Sequence, residues 1–202
     1  MLDYSYMPSK FFKSLFLVSA LAASCRAAEW TVDPMHSQAS FAVKHMMVST
    51  VHGSFNGLQG LVDYDPAHPK AAKAQITIDA TTVDTRNDMR DKDLKSENFF
   101  DVAKFPTISF VSTKVEPAGK GKLKIIGDMT LHGVTKQVTW LVEGPATAVK
   151  DPKGNLHSGA TATTAINRKD FGLTWNKTLD GGGVMVGEDI DLSVEVELVE
   201  KK

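Results

Sequence analysis

The strongest constraint on the fold lies near the C-terminus, in residues 190–199. Ile190, Leu192, Val194, Val196 and Leu198 alternate with Asp191, Ser193, Glu195 and Glu197. Successive side chains of an extended strand point to opposite faces, so this stretch has one dry face and one wet face. The same period of two recurs upstream, and helical periodicity is nearly absent.

Trp30-Thr31-Val32 opens a first strand, halted at Asp33-Pro34. Phe41, Val43 and His45 then alternate with Ser40, Ala42 and Lys44. Met46 to Thr50 fits neither period and is read as a single turn of helix. His52 to Phe55 leads to Asn56-Gly57, a hairpin signal because both residues tolerate positive φ, with Gly60 to Tyr64 as the returning strand before Asp65-Pro66. Ile76, Ile78 and Ala80 alternate with Gln75, Thr77 and Asp79. Further strands are expected over 107–114, 123–131, 135–143 and 159–166, with turns at Pro117-Ala118-Gly119 and His132-Gly133. Eight or nine short strands joined mostly by short turns predict an antiparallel sandwich or barrel. No convincing internal repeat breaks the chain into units.

One stretch, Asp79 to Phe110, departs from this pattern. From Asp84 to Glu97 nine of fourteen residues are charged, which predicts a solvated helix with Thr85-Arg86-Asn87-Asp88 as its capping box. Phenylalanines 99, 100, 105 and 110 follow. An exposed Phe forfeits roughly 1.5–3 kcal/mol relative to burial, so these rings must be covered. The expectation is a crossover that lays a helix over one end of a β-structure and plugs the seam with aromatics.

A net charge of -1 and no basic run interleaved with aromatics argue against a nucleic-acid partner. The first residues have a separate role. Lys10 and Lys13 precede the apolar run Leu15–Cys25, which ends in small residues, as a secretory signal does. That run is too short for a retained membrane span. Cleavage is placed before Ala28, giving a signal peptide of 1–27 and one domain of 28–202 exported to the periplasm, with no transmembrane anchor. Cys25, the only cysteine, is either removed with the signal or lipidated, so the mature domain has no disulfide.

Chemistry is sparse. His36, His45 and His52 are spaced by nine and seven, unlike any metal-binding helix or knuckle, and no cysteine supports them. No nucleophile elbow occurs, and Asp180-Gly181-Gly182-Gly183 reads as a connection rather than a phosphate loop. The carboxylates around Asp88, Asp91 and Asp93 are intermixed with Arg86, Arg90 and Lys92, as on a solvated face. No active site is visible, and neither a metal nor a cofactor is expected. A closed barrel of about eight strands either fills with side chains or encloses one small ligand. Three tryptophans, ten phenylalanines and eight methionines suit either outcome.

Several co-linear motifs carry a family resemblance: WTVDPMHSQASFAVKH, HGSFNG, VDTRNDMRDKDLKSENFFDVAKFPTISF, GDMTLHGVTKQV, INRKDFGL and VGEDIDLSVEVEL. From Trp30 to about Glu197 the chain resembles the YceI-like family of bacterial periplasmic proteins. The resemblance implies a mainly β fold, an extended eight-stranded antiparallel lipocalin-like barrel with one short helix packed against it. It also implies an amphiphilic lipid, a long isoprenoid or fatty chain, in an apolar tunnel, and a homodimer. The signature falls on Asp84, Thr85, Asp88, Leu94, Phe99, Phe100, Asp101, Phe105, Pro106 and Phe110, and later on Arg168, Phe171 and Gly172. Face and residue type select Phe41, Val43, His45, Phe55, Phe110 and Phe171 as pocket residues, with His45 as polar anchor. Two rival readings are an interaction module with a solid core and a metal-dependent enzyme built on His45 and His52.

Overall fold

The computed structural model describes residues 28–202; the expected signal segment and Cys25 lie outside the described residues. Eleven strands form: β1 (Ala28–Val32), β2 (Gln38–His45), β3 (Ser49–Phe55), β4 (Gln59–Tyr64), β5 (Lys73–Asp79), β6 (Thr107–Pro117), β7 (Lys122–Leu131), β8 (Val134–Glu143), β9 (Val149–Lys150), β10 (Leu156–Asn167) and β11 (Val186–Glu200). One α-helix, α1 (Asp88–Lys95), lies between β5 and β6. Eight strands close a ring in the order β11-β1-β4-β5-β6-β7-β8-β10, with β10 pairing back onto β11. Every pair is antiparallel, and closure removes the exposed edges that an open sheet would carry.

Strand β11 is the seam. One of its edges pairs with β10 from Asn167↔Asp189 to His157↔Val199. The other edge is shared: Leu198–Glu200 pair with β1, and Val186–Glu195 pair with β2. The chain bends between these two partners at Asp33-Pro34. Its Asp33 N–H donates to the Glu197 carbonyl at 2.8 Å, and Ser37 Oγ accepts the Glu197 N–H at 2.9 Å. The β2–β3 hairpin therefore overhangs one end of the barrel rather than joining the ring.

Two local features differ from the sequence expectation. Asn56-Gly57 turns the chain, with Gly57 at φ +71, but it does not make a hairpin, because β3 pairs with β2 and β4 pairs with β1 and β5. The β2–β3 loop is the three residues Met46-Met47-Val48, two of them at positive φ, and not a turn of helix. A turn signature names a place where the chain reverses, and pairing partners are decided by the strands that need covering. His132-Gly133 is the hairpin loop expected from the sequence, at φ 53 and 72. A Cβ on Gly133 would lie 2.5 Å from the Phe105 ring, so this loop needs glycine twice over.

The expected crossover is present. Helix α1 has no buried residue, and its first and last turns carry Asp88 and Asp91, then Lys92 and Lys95, as the macrodipole favours. The cap differs from the expected box. Asn87 is the N-cap and accepts the Arg90 N–H at 3.0 Å. Thr85, only 4 % exposed, instead gives its hydroxyl to Asp91 at 2.5 Å and accepts Arg90 Nε at 2.7 Å. The helix is thus tied to the chain before it by side chains, while Leu94 packs part-buried against the core.

Candidate functional site

Strand registers sort the connections into two ends. Residues 65–72, 118–121 and 144–155 surround one end, the mouth. Residues 46–48, 80–106, 132–133 and 168–185 gather at the other. An internal cavity of about 150 Å³ runs between them. Tyr64, Ala72 and Pro145 stand at its rim, Ile76, Phe110, Ile125 and Trp140 along its length, and Phe55, Ile108 and Met129 toward its floor. The dry face of β11 supplies Leu192, Val194, Val196 and Leu198 to the same wall. Small residues opposite, Ala160 and Ala162 of β10, leave the space that larger side chains would fill. The interior is therefore not packed solid. Among the described residues its wall contains no histidine, carboxylate or arginine; its polar residues are Ser40, Ser109, Tyr64 and Lys73.

The far end is sealed by an aromatic chain. Phe41 lies 5.6 Å from Phe55, Phe55 lies 5.5 Å edge-on from Phe100, and Phe99 lies 5.2 Å from Trp175, as ring centroids. Phe41 comes so close to β3 that a Cβ on Gly53 would sit 2.3 Å from its ring. Behind the rings is Arg168, 3 % exposed, on the short 3-10 turn Arg168–Phe171. Its guanidinium donates to the carbonyls of Gly187 (2.8 Å), Val186 (3.4 Å) and Leu173. Burial pushes its pKa down, and the charge of Glu188 opposes the shift. One planar cation thus serves three carbonyls, and the Val186 carbonyl also accepts Asn176 Nδ2 at 2.7 Å.

At the mouth, the turn carrying β9 is fixed from outside. Asp151 Oδ1 accepts the N–H groups of Lys153 and Asn155, each at 2.8 Å. His157 Nδ1 lies 2.7 Å from Glu197 Oε1, and its Nε2 lies 3.3 Å from Asp151 Oδ2. The Glu197 contact raises the His157 pKa, while the Asn155 N–H leads the contacts that hold Asp151 down to about 2.

The structure divides the six residues selected from sequence. Phe55 and Phe110 line the cavity, and Phe110 packs edge-on against Trp140 at 6.1 Å. Phe41 stands one ring behind, on Phe55. Val43 and His45 lie farther along β2, opposite Val51 and Ser49, and are outside the cavity wall. Phe171 is buried in the core beneath the plug, also outside that wall. Alternation identified the inward face of β2 correctly, but β2 overhangs the sealed end, where facing inward means facing the plug. The small residues Ala72, Ala160 and Ala162 and the rim residue Pro145 were missed, since a cavity is marked by volume that is lacking. Trp30 Nε1 and Trp140 Nε1 are buried with no hydrogen-bond partner among the described residues.

The family model for the YceI-like domain matches residues 30–198. The chain belongs to the YceI-like family. A UPF0312 protein of Pseudomonas fluorescens is 37 % identical over 209 residues, covering 97 % of this chain and all of that one. The crystal structure of the Campylobacter jejuni YCEI protein aligns with TM-score 0.66 at 32 % identity, covering 79 % of this chain and 90 % of the other. A polyisoprenoid binding domain from Saccharophagus degradans aligns with TM-score 0.62 over 87 % of this chain and all of its own; at 15 % identity that likeness is one of fold. The two solved structures share the barrel fold of this YceI-like chain.

Proposed function

We propose that this YceI-like protein carries a long-chain amphiphile, an isoprenoid or fatty chain, in its barrel, and that it does so in the periplasm after removal of residues 1–27. The observation that carries the reading is the apolar cavity, walled by alternating strand residues, sealed at one end and approached at the other. Each methylene taken out of water contributes ~0.8 kcal/mol, so a chain of ten or more carbons binds without polar contacts. Tyr64 and Lys73 at the rim are the groups that a head group would meet. The Saccharophagus degradans domain, described as polyisoprenoid binding, has the same fold and supports this choice of ligand class. Among the described residues the wall offers no acid–base pair or metal-binding side chain, which favours carriage over catalysis.

The cavity is smaller than the roughly 300–1,000 Å³ of ordinary ligand sites. Entry of a chain therefore requires side chains to rotate, and the unbranched Met129 is the adaptable one along its path. Native mass spectrometry of protein purified without detergent tests the proposal. The expected result is an added mass that extracts into organic solvent. A bare polypeptide mass, unchanged after incubation with isoprenoids and fatty acids, would overturn it.

A further inference from the structure

We propose that Asp33, His36 and Glu197 form a divalent-cation site of zinc type on the outer wall of the barrel, with His157 and Asp151 as positioning residues behind Glu197. Asp33 Oδ2 and His36 Nδ1 are 2.8 Å apart, and one donor atom from each of Asp33, His36 and Glu197 lies within 4.8 Å of the others. Zinc bonds of 2.0–2.2 Å place tetrahedral donors about 3.3 Å apart, so modest side-chain rotations admit the ion. The scaffold is already fixed. Asp33 Oδ1 accepts the Met35 N–H at 2.8 Å, and the Asp33 and Glu197 main chains are joined by the bond described above. His157, itself held by Asp151, presents Nδ1 to Glu197 Oε1. That is the relation of an outer hydrogen-bonding residue to a metal-bound carboxylate.

Two further observations favour a cation here. Glu29, Glu143 and Glu188, also on the barrel surface, each pair with a lysine. Among the described residues, the ion pairs of Asp33, Asp151 and Glu197 are made with histidines alone. Among the described residues no lysine or arginine forms an ion pair with these three carboxylates, and a divalent ion would supply positive charge beside them. The second observation is an internal control. Asp65-Pro66-Ala67-His68 repeats the Asp33-Pro34-Met35-His36 turn, with the same N–H to Oδ1 bond at 2.8 Å and the same ring contact at 2.9 Å. Among the described residues, only the first turn gathers a third donor. The Asp–His pair is thus a turn device, and Glu197 converts one copy of it into a site. One imidazole with two carboxylates suits zinc or its neighbours better than calcium or magnesium, which take oxygen ligands. The exposed His36 leaves a coordination position open to solvent or to an external ligand.

The test is zinc titration of the full-length mature protein without an affinity tag, by calorimetry and by competition with a chromophoric chelator. One zinc per chain is expected. The thermal midpoint should rise by about 5–10 °C at a hundredfold excess over the dissociation constant and should be restored by EDTA. Asp33→Asn, His36→Ala and Glu197→Gln should each abolish stoichiometric binding, while His68→Ala leaves it unchanged. His157→Ala should weaken binding about 10–100-fold. His157→Asn, which retains a donor near the Nδ1 position, should recover part of that loss. Cobalt should give a visible ligand-field spectrum that disappears in His36→Ala. Absence of stoichiometric zinc binding by the folded protein, or binding that survives Glu197→Gln, would overturn the proposal.

Discussion

The two ends of this barrel are built by different means. The sealed end is crowded: aromatic rings in contact, a buried arginine on three carbonyls, and a charged helix tied down by Thr85 and Asp91. The mouth is lined with small residues and bounded by turns held from outside by polar contacts. At the sealed end packing density supplies stability, and losing an atom leaves a void or an orphaned carbonyl. At the mouth, space is kept open at some cost in packing. Changes at the sealed end should therefore lower stability, and changes at the mouth should alter occupancy.

The largest effect is expected from Arg168→Met, which removes the guanidinium bonds to the Gly187 and Leu173 carbonyls and should cost about 3–5 kcal/mol in urea unfolding. A cost under ~1 kcal/mol would mean that the plug stands on hydrophobic packing alone. Thr85→Val comes next. Its hydroxyl joins Asp91 to Arg90, and its loss should cost about 1–3 kcal/mol and expose the 84–97 segment to faster amide exchange. Ala160→Leu should invert the pattern, with stability changed by less than ~1 kcal/mol but retention of a bound chain reduced at least tenfold in a fluorescent fatty-acid displacement assay. If that variant binds normally, the ligand does not enter past β10. Trp140→Phe should be smallest. It removes a buried N–H that has no partner, so stability should move by ~0.5 kcal/mol or less. A larger loss would show that the indole N–H has a partner in solution.

Alternation in residues 190–199 was enough to assign the dry face of β11, and four of those residues do line the cavity. The polar stretch 84–97 and the phenylalanines after it were enough to place a helix and a plug outside the alternating pattern. Both are local properties, set by the two-residue period of a strand and by the absence of an apolar face on a helix. The helix cap was legible only as a region: Asn87 took the cap because Thr85 was drawn into the tertiary contact with Asp91 and Arg90.

How far along the barrel an inward residue sits could not be read the same way. Val43, His45 and Phe55 share the inward faces of β2 and β3, yet only Phe55 reaches the cavity, because β11 changes partner from β1 to β2 partway along its edge. That change depends on pairing between segments that lie at opposite ends of the described chain, and no local period encodes it. The meeting of the Asp33-Pro34-Met35-His36 turn with Glu197 has the same origin. Residues 33–36 set the conformation of that turn, which recurs at residues 65–68. Closure of the barrel alone brings a second carboxylate beside the first copy, because a strand register is shared by every residue along it.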